Sequence, residues 1–223
     1  MEENKQKRGL RLGVLGMVLC MAADWLLDVM PAGNVSNMLV ESGWVEMSMW
    51  RFEASILIAA AIIPLFWLGI REMKKLLRSR CQTEGDRKMS RLFDAGAMAG
   101  VMGFLFVHIM CCLMPVIFKC ASAAGMDFDA ASALTNQVGA YIYVPFFAYY
   151  LAADLSVSIA WIYFALKGRL GLSRWAALCC PVVTLIFGQL FHLLPWPVGE
   201  IGVAFETLGY VLLMAKGLRL CRK

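Results

Sequence analysis

The chain has 223 residues, 61% of them hydrophobic and 17% charged, with a formal net charge of +5 and a mean hydropathy of +0.68. Soluble domains are closer to half apolar with about a quarter of their residues charged, so neither a disordered chain nor a nucleic-acid-binding module fits. The apolar residues fall into six runs, most reaching the roughly 20 residues that a helix needs to cross about 30 Å of hydrocarbon.

In chain order the expected membrane spans are 10–30, 53–71, 94–118, 138–166, 174–195 and 200–216. The fold class they imply is all-α, a polytopic bundle of six transmembrane helices. Residues 1–223 form a single integral membrane domain, because no connection is long enough for a soluble one. The partner this implies is the lipid bilayer; the oligomeric state is left open. A basic start followed by residues 12–23 also has the form of a cleavable signal peptide. Its removal leaves five spans and the same charge pattern, so retention of the first span stays open.

Lys5, Lys7, Arg8 and Arg11 precede the first span, and eight Lys and Arg residues fill the connection from position 71 to 91. Lys167, Arg169 and Arg174 join spans four and five, and Lys216, Arg219, Arg222 and Lys223 follow span six. Only Arg51 and Lys119 fall elsewhere. Excess Lys and Arg marks the cytoplasmic side. The expectation is a multi-pass protein of the cell (plasma) membrane with both termini cytoplasmic. Residues 31–51, with Glu41, Trp44, Glu46 and Trp50, and residues 119–136, with Asp127 and Asp129, suit an external interface.

Eight cysteines are present, mostly within spans or on the reducing side, and no external pair is evident. Cys111-Cys112 and Cys179-Cys180 lack the C-x-x-C spacing of redox or zinc motifs. Small apolar packing residues is the better reading.

Ionisable side chains inside lipid are costly and usually face a cavity or the bundle interior. Here they are Asp24 and Asp28 in span one, Glu53 opening span two, His108 in span three, Asp154 in span four, His192 in span five and Glu206 in span six. Gln189 and Ser158 are uncharged neighbours, and Trp25 flanks Asp24. Counting from the nearest basic residue at 1.5 Å per residue puts Asp24 and Asp154 at about 20 Å and Glu206 near 15 Å. The same count puts Gln189 near 22 Å, and Asp28, Glu53, His108 and His192 at about 25–27 Å. All lie at or beyond the midplane, which points to one polar cavity opening outward. Asp24 with Asp28 and Asp154 with Ser158 are spaced i, i+4, and Gln189 with His192 i, i+3, so each pair is expected to share a face. Kinks are expected at Pro64, Pro115, Pro145 and Pro181. Asp94, beside Arg91 in sequence, belongs to the basic edge. Ala-Ala-Asp recurs at 22–24 and 152–154, which makes an inverted three-plus-three repeat conceivable.

The segment Ala23-Asp-Trp-Leu-Leu, the Trp50-Arg51 entry to span two, His108, Phe191-His192 and Glu206 together resemble a family of bacterial six-span membrane proteins. That family has no assigned activity, so the resemblance implies architecture over nearly the whole chain and no function. The chain is also similar to ceramidase-like hydrolases in mixing His, Asp and Ser within spans. It lacks their third zinc-binding histidine. Sterol-isomerase-like enzymes and membrane terpene cyclases share the use of carboxylates in an apolar bundle.

Two functions compete. One is an acid/base enzyme acting on a lipid or isoprenoid-like substrate from the outer half of the bilayer. Asp24, Asp154, Glu206, His108 and His192 would be its catalytic groups, with Asp28, Glu53, Gln189, Trp25 and Ser158 as binding residues. The alternative is a small-solute transporter or substrate-binding component with protonatable carboxylates. An assembly protein whose polar residues merely join helices is the third reading. No close-spaced metal-ligand motif appears, no metal ligand is assigned, and the sequence names no cofactor.

Overall fold

The computed structural model describes residues 2–221, so Arg222 and Lys223, two of the charges that mark the orientation, lie outside the described residues. Helices account for almost all of the structure. They are α1 (Glu2–Asp28), α2 (Met49–Ser79), α3 (Glu84–Ala123), α4 (Phe128–Tyr150), α5 (Ser156–Leu166), α6 (Pro181–Phe191) and α7 (Phe205–Leu220). A π-helical turn, Leu151–Leu155, joins α4 to α5 in one rod, and a 3-10 turn, Gly199–Ala204, leads into α7. Five helical segments are long and apolar enough to cross a membrane: α1, α2, α3, the α4–α5 rod and Gly199–Leu220.

The fifth expected span departs from a single helix. Residues 174–195 contain a 3-10 turn, Arg174–Leu178, a break at Cys179 and Cys180, and then α6. With 11 residues, α6 covers only about 16 Å. The cause is Pro181, which stands at the first helical position. There its missing N–H costs nothing and its fixed φ suits the helix start, so Pro181 begins a helix rather than kinking one. Pro64, Pro115 and Pro145 do lie inside helices.

The basic connection after α2 is shorter than the charge run implied, because α2 and α3 extend through most of it. Thr83 and Asp86 form a capping box at the start of α3, satisfying backbone donors that a helix N-terminus leaves free. Asp86 is fully buried and also receives Arg169 at 3.1 Å. That pair ties the α2–α3 turn to the end of α5.

Helix α1 lies along α2 and α7. A Cβ on Gly13 would fall 2.5 Å from the Gly69 Cα, so glycine at both positions is what permits this close crossing. Two apolar cores result. The larger, near the basic end, includes Leu10, Phe66, Phe93, Trp161, Phe164 and Leu213. The smaller, at the other end, gathers Leu27, Trp44, Phe52 and Phe118.

The connection between α1 and α2 is an ordered roof over that end. Its short antiparallel hairpin, β1 (Ser36–Asn37) and β2 (Val40–Glu41), is followed by a 3-10 turn, Ser42–Val45. Asn136 of α4 accepts from the Leu39 N–H at 2.9 Å. Lys119 of α3 donates to the carbonyls of Trp44 and Val45 at 3.0 and 2.9 Å. Between the two cores lies a polar interior.

Candidate functional site

Three helices and the π turn bring these groups together. Asp24 and Asp28 come from α1, His108 from α3, Asp154 from the π turn and Glu206 from the first turn of α7. All five line one inner chamber of about 100 Å³. Met17, Phe66 and Tyr210, which belong to the larger core, lie on one side of it, and Leu27, part of the smaller core, on another.

Two proton-holding pairs occupy the chamber. In the first, Thr207 donates to Asp24 Oδ2 at 2.6 Å, and His108 Nδ1 stands 3.8 Å from Asp24 Oδ1. Cys20 is a weak donor to the same carboxyl at 3.9 Å. On the far side of the imidazole, Ser55 Oγ lies 2.7 Å from His108 Nε2 and 2.8 Å from the Ala23 carbonyl. A hydroxyl has one proton. Given to the carbonyl, which can only accept, it leaves Ser55 Oγ as the acceptor for Nε2–H. The neutral imidazole therefore turns the Nδ1 lone pair toward Asp24.

In the second pair, Asp154 accepts from the Tyr210 hydroxyl, and Glu206 and Tyr150 line the same chamber beside it. No Lys or Arg side chain among the described residues bonds to Asp24, Asp28, Asp154 or Glu206. The chamber thus holds neutral donors and carboxyl groups, an inventory suited to giving and taking protons out of water.

The π turn explains the placement of Asp154. Such turns widen the helix by one residue and re-aim its side chains, often at functional sites. Here Tyr150 and Asp154 turn inward together. Asp154 lines the chamber and Ser158 does not. Ser158 is buried and accepts from the Val182 N–H at 3.1 Å, capping the first turn of α6. The two Ala-Ala-Asp segments differ in backbone as well, one α-helical and one π-helical.

Beside the chamber is a larger vestibule of about 630 Å³. Asp28, Cys111 and Val203 line both spaces. Its walls come from the hairpin roof, α3, α4, the end of α6 and the Glu200 turn. Gln189 and His192 are here, both exposed, so the two histidines are not neighbours. Glu53 is exposed on α2 and lines neither space. Trp25 is outside too, its indole donating to the Ile201 carbonyl at 3.3 Å. Among the described residues no three His, Cys, Asp or Glu side chains are arranged to hold a metal ion. All eight cysteines are free, with Cys20 and Cys111 at the site rather than only in packing.

Sequence reasoning passed over the neutral partners: Ser55, Tyr150, Thr207 and Tyr210. Their signal was helical spacing, because Tyr150 precedes Asp154 by four residues and Tyr210 follows Glu206 by four.

The class defined by this fold and site is a helical protein with five segments long and apolar enough to cross a membrane and a cluster of acids lining one chamber between helices. The chain belongs to a family of unknown function (DUF6796), whose model matches residues 1–223. That agrees with the resemblance to a family without an assigned activity. No curated protein and no solved structure matches the chain.

Proposed function

We propose that the protein is an acid/base enzyme of the plasma membrane acting on a lipid or isoprenoid-like substrate. Its chain enters the bilayer six times, α6 and its flanking turns making the shortest passage, and both termini lie in the cytoplasm. The observation that carries the reading is the joining of two spaces of different size. The vestibule falls within the few-hundred to 1,000 Å³ typical of small-molecule sites; the chamber holds only a reacting group. A substrate lodged in the vestibule would present its reactive end past Asp28 and Cys111. Asp24 with His108 and Asp154 with Glu206 would then donate and accept protons, Tyr210 and Thr207 holding the carboxyls in place. Retention of water-free surroundings strengthens each such interaction.

The test uses purified protein in nanodiscs of total polar lipid with added polyprenols, incubated in D₂O and followed by lipid mass spectrometry. A new lipid species, or deuterium entering a carbon position, should appear and should fall about 10²–10⁴-fold in Asp24→Asn and Asp154→Asn. If lipids stay unchanged while proton-dependent solute uptake into proteoliposomes depends on the same residues, the carrier is the correct reading. The lack of cations on the four acids is what favours that second reading. Orientation is checked by an impermeant thiol reagent on intact cells, using Cys-depleted protein. Asp129→Cys should react and Lys88→Cys should be protected.

A further inference from the structure

We infer that the vestibule receives an amphiphile whose headgroup is a cation of the amine type, seated at Asp28, with its apolar chain among the methionines of the wall. Binding stands on the vestibule alone; only the chemistry after binding rests on the proposed enzyme activity.

Charge is the first support. Asp28, Glu41 and Glu200 line the vestibule, and neither it nor the chamber is lined by a Lys or Arg. The two basic residues of this half are occupied elsewhere. Arg51 donates to the carbonyls of Leu26, Trp25 and Val29 at 2.8, 3.2 and 2.9 Å, closing the end of α1. Lys119 is held by the roof carbonyls. A phosphate or carboxylate headgroup entering here would meet three acids and no free cation, which is costly away from water.

Asp28 is the second support. Glu41 is satisfied by Asn34 and Ser36 at 2.7 Å each, and Glu200 by the Met30 N–H at 3.0 Å. The Asp28 carboxyl has no hydrogen-bond partner among the described residues, although it lines both spaces. Asp28 is half-buried at the junction of two cavities, and a carboxyl placed there without a protein partner is open to a ligand donor. An ammonium supplies both charge and N–H groups.

The walls supply the third. Met30, Met38, Met110 and Met114 line the vestibule; unbranched thioethers adapt to a flexible chain. Trp44, Tyr143 and Phe146 add aromatic faces that attract a cation as well as hydrocarbon. Tyr143 of α4 and Gln189 of α6 both line the vestibule and are both exposed, so the proposed entry from the apolar exterior lies between these two helices. A chain can enter there from a bilayer.

The probe is hexadecylamine carrying a mid-chain diazirine, photolysed with the full-length protein in nanodiscs and mapped by mass spectrometry. Label should concentrate at residues 110–114 and 142–146. Unlabelled hexadecylamine should compete about tenfold better than hexadecanol or hexadecyl phosphate, equivalent to about 1.4 kcal/mol. Asp28→Asn, eluting as the parent protein does, should erase most of that preference. Should the variant not fold, the headgroup series on the parent protein decides alone. Equal competition by the phosphate, or label scattered over the outer helix faces, overturns the inference. Loss of headgroup preference alongside Asp24-dependent lipid turnover removes the cationic ligand and leaves the enzyme; amine preference without turnover of any lipid does the reverse.

Discussion

The two halves of the bundle treat buried carboxyl groups in opposite ways. At the basic end Glu72, 1% exposed, receives Arg71 at 2.7 Å and Lys75 at 3.0 Å. Asp86 receives Arg169, the Tyr163 hydroxyl and two backbone N–H groups, and Asp94 pairs with Arg78 rather than its sequence neighbour Arg91. In the chamber the partners are Thr207, Tyr210 and His108. Long basic side chains can satisfy an acid near a helix end while their heads still reach water. Deeper in, a permanent cation would be stranded, and hydroxyls replace it. Acids of the first kind fix structure. Acids of the second kind keep exchangeable protons.

This contrast can be broken from either side. The largest effect is expected in the chamber: Asp154→Asn should reduce turnover by about 10³-fold, with a thermal midpoint close to the parent protein's. The amide still accepts from the Tyr210 hydroxyl. A variant that loses several kcal/mol of stability instead makes Asp154 a structural acid like those at the other end. Next, Asp86→Ala should destabilise by about 3 kcal/mol, since it leaves Arg169 without its buried partner and removes half of the capping box. Headgroup preference in the vestibule should be unchanged, measured on the folded fraction. Smaller again, Tyr210→Phe removes one hydrogen bond and should cost about 1 kcal/mol in detergent unfolding, with a partial loss of turnover. Last, Glu84→Ala breaks only an exposed pair with Arg87, and the unfolding midpoint should not move measurably.

Much of this was legible in the sequence because lipid-scale apolar runs and isolated ionisable residues are themselves physical signals. The runs at 10–30, 53–71, 94–118 and 138–166 fall on long helices. Asp24, Asp28, His108, Asp154 and Glu206, singled out for their depth, line one chamber. The fifth run failed as a helix because hydropathy counts apolar residues and ignores where Pro181 forces a new start. His192 was grouped with His108 on depth alone, which fixes height in the bundle but not the side a residue faces. Glu72 and Asp86 were hidden among basic neighbours, so their burial could not be read from composition. The π turn left no signature beyond Pro145 upstream, and with it went the true surroundings of Ser158.

Ser55 carries a consequence for how protons travel. Its single hydrogen points to the Ala23 carbonyl, and a backbone carbonyl cannot pass a proton on. A relay from Asp24 through His108 therefore terminates there. The chamber shares Asp28, Cys111 and Val203 with the vestibule, which offers an exchanging proton a route that Ser55 does not.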